Sequence, residues 1–154
     1  MIVNLRPKRK SVSKLVPVFR FDDIRETLAI AEIAIMKIDV EGFEQQVIAG
    51  MRETLSLLKP PIICEVLRID ANADREFYKE SVSNLMTMLA NLNYLVFRIE
   101  KHEDAANLRL AGLTRVPEFP LDAWTPATAE ANDYLFIPAQ KISLLPQDKS
   151  ATSL

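Results

Sequence analysis

Two apolar runs separated by a helical pattern constrain the fold of this chain more than any other feature. They are "IAIMKIDV" (33–40) and "PIICEVL" (61–67), and both contain isoleucine and valine in quantity. Such runs are typical of parallel strands that are covered on both faces of a sheet. The sequence therefore predicts a strand–helix–strand unit with a right-handed crossover. The helix between the runs is indicated by apolar residues at helical spacing: Phe43, Val47, Ile48, Met51, Leu55 and Leu58.

The alternation of strand and helix continues along the chain. A second helical stripe covers residues 75–91, and "YLVFRIE" (94–100) follows it as a further strand. Upstream, "KLVPVFRF" (14–21) predicts a short strand that leads into a helix capped by Asp22 or Asp23. Downstream, residues 101–132 predict an irregular segment, and "DYLFIP" (133–138) predicts a last strand. This order favours an α/β fold with a mostly parallel sheet.

The composition fits a single globular domain. The chain has 154 residues, of which 49% are hydrophobic and 26% charged, so it is long enough to bury one core. We expect that domain to span residues 15–138. Residues 1–14 hold a basic cluster and predict a partly mobile segment, and residues 139–154 predict a tail.

Charge and cysteine content argue against several classes of function. A net charge of −2 offers no basic face for nucleic acid. No run of residues resembles a signal peptide or a membrane span, so we expect a cytoplasmic protein that does not bind membranes. Cys64 is the one cysteine and lies in an apolar run, which predicts an inert buried thiol. With a single cysteine and a single histidine, no Cys/His metal site is expected.

Acidic residues gather where the first strand ends. Ligands of open parallel sheets bind beyond the carboxyl ends of the strands, and Asp39 and Glu41 follow the first apolar run at that edge. Period two places Lys37 on the same face as Asp39, and Glu65 ends the neighbouring strand at a similar height. Helical spacing puts Glu44 inside the apolar stripe, where its carboxylate needs a partner. We predict that these side chains share one rim of the sheet.

More than one role suits this rim. On one interpretation, its carboxylates and Lys37 form an ion-pair network and a helix cap that only fix the loop. Paired carboxylates are also typical of glycosidases and of divalent-metal sites, and the sequence gives neither their separation nor a set of ligands. Gly42 allows the backbone to turn tightly or to approach a ligand closely.

The segment around this rim resembles a known signature. "MKIDVEGFEQQVIAG" (36–50) closely resembles the signature of the FkbM-type methyltransferases. Three further segments resemble the family in the same order along the chain, so that the likeness covers residues 15–138. They are "VPVFRFDDI" before the signature, "PPIICEVL" as the next strand, and "NDYLFIP" as the closing strand.

The resemblance implies a Rossmann-like fold, S-adenosylmethionine as the cofactor, and methylation of hydroxyl oxygens on sugars or polyketide-type natural products. It implies that Asp39 and Gly42 bind the cofactor, and that Asp39, Glu41 and Glu44 serve catalysis. Glu65 and Lys37 would border the pocket of a small-molecule hydroxyl acceptor. Proton removal from a hydroxyl needs a base or a metal, and an acidic rim suits either need.

Members of that family carry, further upstream, a strand with a glycine-rich turn for the cofactor and a second strand that ends in an acid for the ribose. Here the glycines are Gly42, Gly50 and Gly112, and none precedes residue 42. The resemblance therefore implies the carboxyl-terminal part of such an enzyme, with a sheet that lacks its amino-terminal first strands. The strand left at the edge predicts association, with a second copy or with a complementary chain.

Three functions are thus compatible with the sequence. The first is a methyltransferase, truncated at its amino end, whose reaction is O-methylation. The second is a non-enzymatic interaction module that docks onto another chain through the inherited half-fold. The third is a carboxylate-dependent hydrolase that uses Asp39 and Glu44.

Overall fold

The computed structural model describes residues 16–68, 75–104, 107–123, 125 and 131–145. Helices and strands alternate through the first two thirds of the chain, and strands follow in the last third. The elements in chain order are α1 (Phe21–Arg25), β1 (Met36–Ile38), α2 (Glu44–Gly50), α3 (Arg52–Leu58), β2 (Ile62–Glu65), α4 (Arg75–Asn91), β3 (Tyr94–Asp104), β4 (Asn107–Arg115), β5 (Asp133–Pro138) and a 3-10 helix (Ala139–Leu144).

The five strands form one mixed sheet in the order β1-β2-β5-β3-β4. β1 and β2 pair in parallel, while β5 is antiparallel to both β2 and β3, and β3 is antiparallel to β4. The α/β class is confirmed, but the prediction of a mostly parallel sheet is wrong. Helical crossovers connect β1 to β2 and β2 to β3, which makes these three strands share a direction. β4 and β5 enter the sheet without such a crossover and run the other way.

The segment 101–132, predicted to be irregular, contains a strand instead. β3 extends to Asp104, and β4 folds back along it as a hairpin, with a register shift between Glu100 and Lys101. A hairpin at the edge of a sheet can be polar on both faces, and therefore it leaves little alternation of apolar residues in the sequence. Trp124 and residues 126–130 lie outside the described residues.

The core lies between the sheet and its helices. Ile48 of α2, Leu55 of α3 and Leu89 of α4 are fully buried, and they share one cluster with Ile62 of β2 and Phe136 of β5. α2 contacts α4, so both crossovers lie on the same face of the sheet. Two right-handed crossovers that step in the same direction along a sheet place their helices on the same face. The other face carries the partly exposed strand residues described below.

The amino-terminal part differs from its prediction in two respects. Residues 16–20 form no strand, and residues 14 and 15 lie outside the described part, as does the whole of the predicted basic segment 1–14. α1 begins after Arg20, so neither Asp22 nor Asp23 is its N-cap. Asp22 caps α3 instead, because its carboxylate accepts hydrogen bonds from the backbone nitrogens of Glu53 and Thr54 at 3.0 and 2.9 Å.

Residues 139–144, which the sequence assigned to a tail, form the 3-10 helix. Lys141 Nζ donates to the carbonyl of Lys59 at 2.7 Å, and Lys59 Nζ donates to the carbonyl of Leu92 at 2.8 Å. These bonds tie the end of β5 to the loops that follow α3 and α4. Across the described ranges, no helix combines the length and the apolar character that a membrane crossing requires.

Candidate functional site

Three carboxylates from different parts of the chain meet at one edge of the sheet. Asp39 follows β1 directly, and Glu65 is the last residue of β2, which pairs in parallel with β1. Asp133 is the first residue of β5 and the register partner of Glu65, because β5 is antiparallel to β2. The carboxyl edge of the parallel pair is thereby completed by the start of an antiparallel strand. We call Asp39, Glu65 and Asp133, with Lys37 and Lys101, the charged rim.

The charged rim lies on the face of the sheet away from the helices. Alternation along the strands turns Ile38, Cys64 and Tyr134 into the core, so their neighbours Lys37, Glu65 and Asp133 point to the opposite face. There the Lys37 and Asp39 side chains form an ion pair at 2.8 Å, with exposed fractions of 66% and 43%. Lys101 of β3 pairs with Asp133. The rim is therefore open to solvent and carries one more negative than positive side chain.

The two lysines do not affect the carboxyls equally. The pKa of Asp39 is lowered, first by the hydrogen bond and charge of Lys37 and less by a hydrogen bond with the Glu65 carboxyl. The pKa of Glu65 is raised, first by burial and then by the charges of Asp39 and Asp133. Lys37 and Lys101 oppose that rise but do not cancel it. Glu65 is therefore the stronger base of the two, and Asp39 is the more persistent anion.

The loop after β1 is held in an unusual backbone conformation. Glu41 and Gly42 both have positive φ, at 49° and 99°. Gly42 N–H donates to Oε1 of Glu44 at 2.8 Å, and Glu44 is buried with 6% of its surface exposed. Burial raises the pKa of Glu44, and the hydrogen bond from Gly42 opposes the rise. Glu44 therefore fixes the loop that presents Asp39, from the helix side of the sheet.

The structure brings together some of the predicted site residues and separates others. Lys37, Asp39 and Glu65 lie in the charged rim. Glu44 is buried beneath it, as its helical spacing predicted, and its carboxylate bonds to the backbone of Gly42. Glu41 is exposed, and its carboxylate has no ion-pair partner among the described residues. The catalytic and binding roles assigned to these residues stay predictions.

Asp133 and Lys101 belong to the rim but are not among the predicted site residues. The signal for Asp133 was present, since "DYLFIP" reads as a strand that begins with this aspartate. A parallel strand would have placed its first residue at the opposite edge. Only the antiparallel direction of β5 brings Asp133 beside Glu65. Lys101 follows the segment predicted as a strand and lies beyond the register shift in β3.

The arrangement does not match a metal centre. No group of three or more His, Cys, Asp or Glu side chains in the described ranges is placed to hold a metal ion. The rim carboxylates are instead paired with amines, because Lys37 binds Asp39 and Lys101 binds Asp133. A hard divalent cation prefers several oxygen ligands, and an ammonium group nearby opposes its binding.

A groove of about 540 Å³ lies at the other edge of the sheet. Its walls include Tyr94 at the start of β3, Arg115 at the end of β4 and Ala90 of α4. Arg115 is the single charged residue among its lining residues, and no carboxylate, histidine or cysteine lines it. The carboxyl groups of the candidate site that have shifted pKa values thus lie in the charged rim and beneath it, and none of them lines the groove.

Part of the charged rim lies in a sequence range that matches a known protein family. The family model of the methyltransferase FkbM domain matches residues 4–96, which is more than half of the chain. The chain belongs to the FkbM methyltransferase domain family. A search of the curated proteins found no match, and neither did a search of the solved structures.

The match covers β1, β2 and the helices of both crossovers, and it ends at Val96 in β3. It begins and ends earlier than the predicted likeness over residues 15–138, so the closing strand β5 lies beyond it. Asp39, Glu65 and Lys37 lie inside the matched range, whereas Asp133 and Lys101 lie outside it. The matched range thus supplies three of the five residues of the charged rim, and the strands after it supply the other two.

Methyltransferases of this kind use S-adenosylmethionine. Two features of the loop after β1 concern the binding of such a cofactor. A Cβ placed on Gly42 meets no atom within 4 Å, so this turn is open to close approach by a ligand. The half-exposed Asp39 carboxylate accepts a hydrogen bond from Lys37, and a carboxylate of this kind can also accept hydrogen bonds from the hydroxyl or ammonium groups of a ligand. Asp39 and Gly42 therefore fit the polar part of this cofactor.

Proposed function

We propose that this FkbM-domain chain takes part in S-adenosylmethionine-dependent O-methylation of a sugar or natural-product hydroxyl. The observation that carries the proposal is the contact between Asp39 and Glu65 at the carboxyl edge of β1 and β2, inside the range that the family model matches. Two carboxyls with pKa values shifted in opposite directions supply an anion and a base at one place. Ion pairs between exposed side chains contribute little to stability, so stability alone gives a weak reason for the rim.

In this proposal each residue of the rim has a different role. When bound, S-adenosylmethionine supplies a methyl group that is activated by the sulfonium charge. Glu65 takes the hydroxyl proton of the acceptor, because its raised pKa brings it closer to neutrality, where a general base is most effective. Asp39 stays ionised and binds the polar part of the cofactor together with Gly42. Lys37 holds the Asp39 carboxylate in position.

Calorimetry and a methyl-transfer assay test this function together. We expect the chain to bind S-adenosylmethionine and to transfer a radiolabelled methyl group to a member of a panel of sugars and polyketide alcohols. Glu65→Gln should leave binding of the cofactor intact and lower methyl transfer by about 100-fold or more. Asp39→Asn should weaken binding of the cofactor. The matched control is Glu53→Gln, an exposed residue of α3. Methyl transfer at the normal rate by Glu65→Gln would refute the assignment of the base.

One observation favours a second function, the non-enzymatic interaction module. β1 is the outer strand of the described sheet and has a partner only in β2. An open edge of this kind takes up a strand from another chain. Absence of cofactor binding, together with a stable oligomer, would favour this module over the enzyme. The hydrolase alternative gains no support, since the Glu44 carboxylate is buried and bound to the Gly42 amide.

A further inference from the structure

The strand that completes the charged rim places two carboxylates directly opposite each other. Asp133 is the register partner of Glu65 in the antiparallel pair of β5 and β2. Partners of this kind point to the same face of a sheet, with Cβ atoms about 4.5–5.5 Å apart. Like charges at such positions destabilise the pairing of the strands. The contact between Glu65 and Asp133 therefore opposes the fold unless another charge compensates it.

Lys101 of β3 supplies a compensating charge from the other side of Asp133. β5 is the central strand of the described sheet and lies between β2 and β3. Continued by one residue, the register of β3 with β5 puts Ile99 across from Asp133, and Lys101 points to the same face two residues further on. The Lys101 ammonium group pairs with the Asp133 carboxylate. Glu65, Asp133 and Lys101 thus form a row of charges across three adjacent strands.

The pair of Lys101 and Asp133 is better shielded from solvent than the other ion pair of the rim. The side chains of Lys101 and Asp133 are 23% and 24% exposed, against 66% and 43% for Lys37 and Asp39. Ion pairs between fully exposed groups contribute little, and burial strengthens them. The register shift in β3 lies next to Lys101, and irregularities of this kind often lie beside active sites, where they redirect side chains. The inner pair is therefore a fixed part of the rim.

Among the described residues, four charged side chains act on the Glu65 carboxyl. Lys37 and Asp39 come from β1 and the loop after it, Asp133 comes from β5, and Lys101 comes from β3. Burial raises the pKa of Glu65 most, the charges of Asp39 and Asp133 raise it further, and the two lysines oppose the rise. Asp133 and Lys101 thus act on Glu65 in opposite directions, and both lie after the range that the family model matches.

We propose that Asp133 and Lys101 are positioning residues for the proposed reaction, and that together they set the pH range in which Glu65 accepts the proton of the methyl acceptor. This inference rests on the proposed function for the reaction, but the effect of the two residues on Glu65 does not. The Asp133 carboxylate favours a proton on Glu65, and Lys101 limits that effect by binding Asp133. Strands that follow the matched range thereby adjust a base that lies within it.

Titration of the Glu65 carboxyl tests the effect without substrate or cofactor. In the full chain labelled with 13C at the side-chain carboxyls of glutamate, nuclear magnetic resonance follows the Glu65 signal from about pH 3 to about pH 9. The signal is assigned by its loss in Glu65→Gln. We expect its midpoint to fall in Asp133→Asn, which removes a negative neighbour, and to rise in Lys101→Gln, which removes a positive one. Loss of folding cannot produce two shifts of opposite sign.

Glu100→Gln is the matched control for these variants. Glu100 precedes Lys101 in β3, and it pairs with Arg98 on the opposite face of the sheet. The substitution removes one negative charge, as Asp133→Asn does, and should leave the midpoint of Glu65 in place. A midpoint that does not move in Asp133→Asn or in Lys101→Gln, or that moves equally in Glu100→Gln, would overturn the inference.

The pH profile of methyl transfer then connects the effect to the reaction. On the acid side of the profile, the rate relative to its own plateau should be about threefold higher in Asp133→Asn and about threefold lower in Lys101→Gln. Asp133→Glu keeps the charge and should keep the wild-type profile, whereas a merely structural role would change the plateau alone. Shifted midpoints without methyl transfer refute the proposed function and spare the effect on Glu65. Methyl transfer with one profile in all variants refutes this inference and spares the proposed function.

Discussion

At the scale of single residues, Gly42 is the position where the backbone itself sets a requirement. Its φ of 99° follows Glu41 at 49°, so two consecutive residues lie in the left-handed region. Side chains with a Cβ adopt this region at a cost, which Glu41 bears and Gly42 avoids. The Gly42 N–H bond to the buried Glu44 carboxylate compensates part of that cost. A turn of this form presents Asp39 at the sheet edge.

Gly42→Ala should therefore destabilise the protein by about 1–2 kcal/mol, through backbone strain alone. Steric collision is not the cause, because an added Cβ meets no atom within 4 Å at this position. Gly112 of β4 is the matched control, since its Cβ would also meet open space and its φ is not positive. The measurement is urea unfolding of both variants. Equal stability of the two would show that the left-handed turn carries no cost.

At the scale of elements, Asp22 joins α1 to α3 across 32 residues of sequence. Its side chain is 3% exposed and accepts three hydrogen bonds, from Glu53 N, Thr54 N and Thr54 Oγ1. The first turn of α3 thus obtains its cap from another helix, because Met51 before it offers no side-chain acceptor. Capping carboxylates also interact favourably with the amino end of a helix.

Asp22→Ala should lower the free energy of unfolding by about 1–2 kcal/mol, because α3 loses its cap and Thr54 keeps buried donors. Asp23→Ala is the matched control at the neighbouring position, where the side chain is 59% exposed and pairs with the exposed Arg20. Urea unfolding of the two variants gives the comparison. A loss of the same size in both would indicate that helix propensity in α1, and not the cap, is responsible.

The contribution of Asp22 should also depend on pH. Burial raises the pKa of Asp22, but the hydrogen bonds from Thr54 and Glu53 outweigh it, and the pKa falls below the ordinary value of 3.8. The Asp22 carboxylate therefore contributes its full stabilising free energy at pH values above its ordinary pKa of 3.8. This contribution is lost as the pH falls through the lower pKa that Asp22 has in the folded protein. The gap in unfolding free energy between the wild type and Asp22→Ala should therefore narrow between neutral pH and about pH 2. A gap that stays constant over this range would show that the charge of Asp22 is not involved.

The elements that the sequence predicted well are those with a local pattern. β1 and β2 follow from the apolar runs, although β1 is limited to Met36–Ile38, and α4 follows from its own stripe. The single helix predicted between the two runs forms as two helices, α2 and α3, which meet at Met51. β4 was not predicted, because it is the outer strand of the described sheet, beside β3, and a strand there needs no continuous apolar face. The antiparallel direction of β5 was not predicted for another reason. Strand direction depends on how the chain enters the sheet, which no local pattern encodes.

The same distinction divides the candidate site. Lys37, Asp39 and Glu65 were predicted because period two and the parallel pairing of β1 with β2 place them at one edge. Asp133 and Lys101 reach that edge only through the antiparallel pairing of β5.

At the scale of the whole molecule, the outer edge of β1 is a candidate surface for association. Within the described sheet, β1 has a neighbour on one side only. Ile35, the apolar residue directly before β1, is 56% exposed. An unpaired edge with apolar neighbours favours addition of another strand, and natural proteins block such edges with charged residues. We therefore propose that two copies of the chain associate through β1 when no complementary chain is present.

Sedimentation velocity over a range of concentrations checks this association. The wild type should form dimers or larger species, and Ile35→Lys should remain monomeric, because a lysine beside the edge opposes strand pairing. Leu57→Lys is the matched control, since Leu57 is 65% exposed like Ile35 but belongs to α3 and not to the segment of β1. Both variants must keep the circular dichroism of the wild type, so that unfolding is not mistaken for dissociation. If Leu57→Lys also becomes monomeric, the contact depends on general surface hydrophobicity, and if Ile35→Lys still associates, β1 is not the interface.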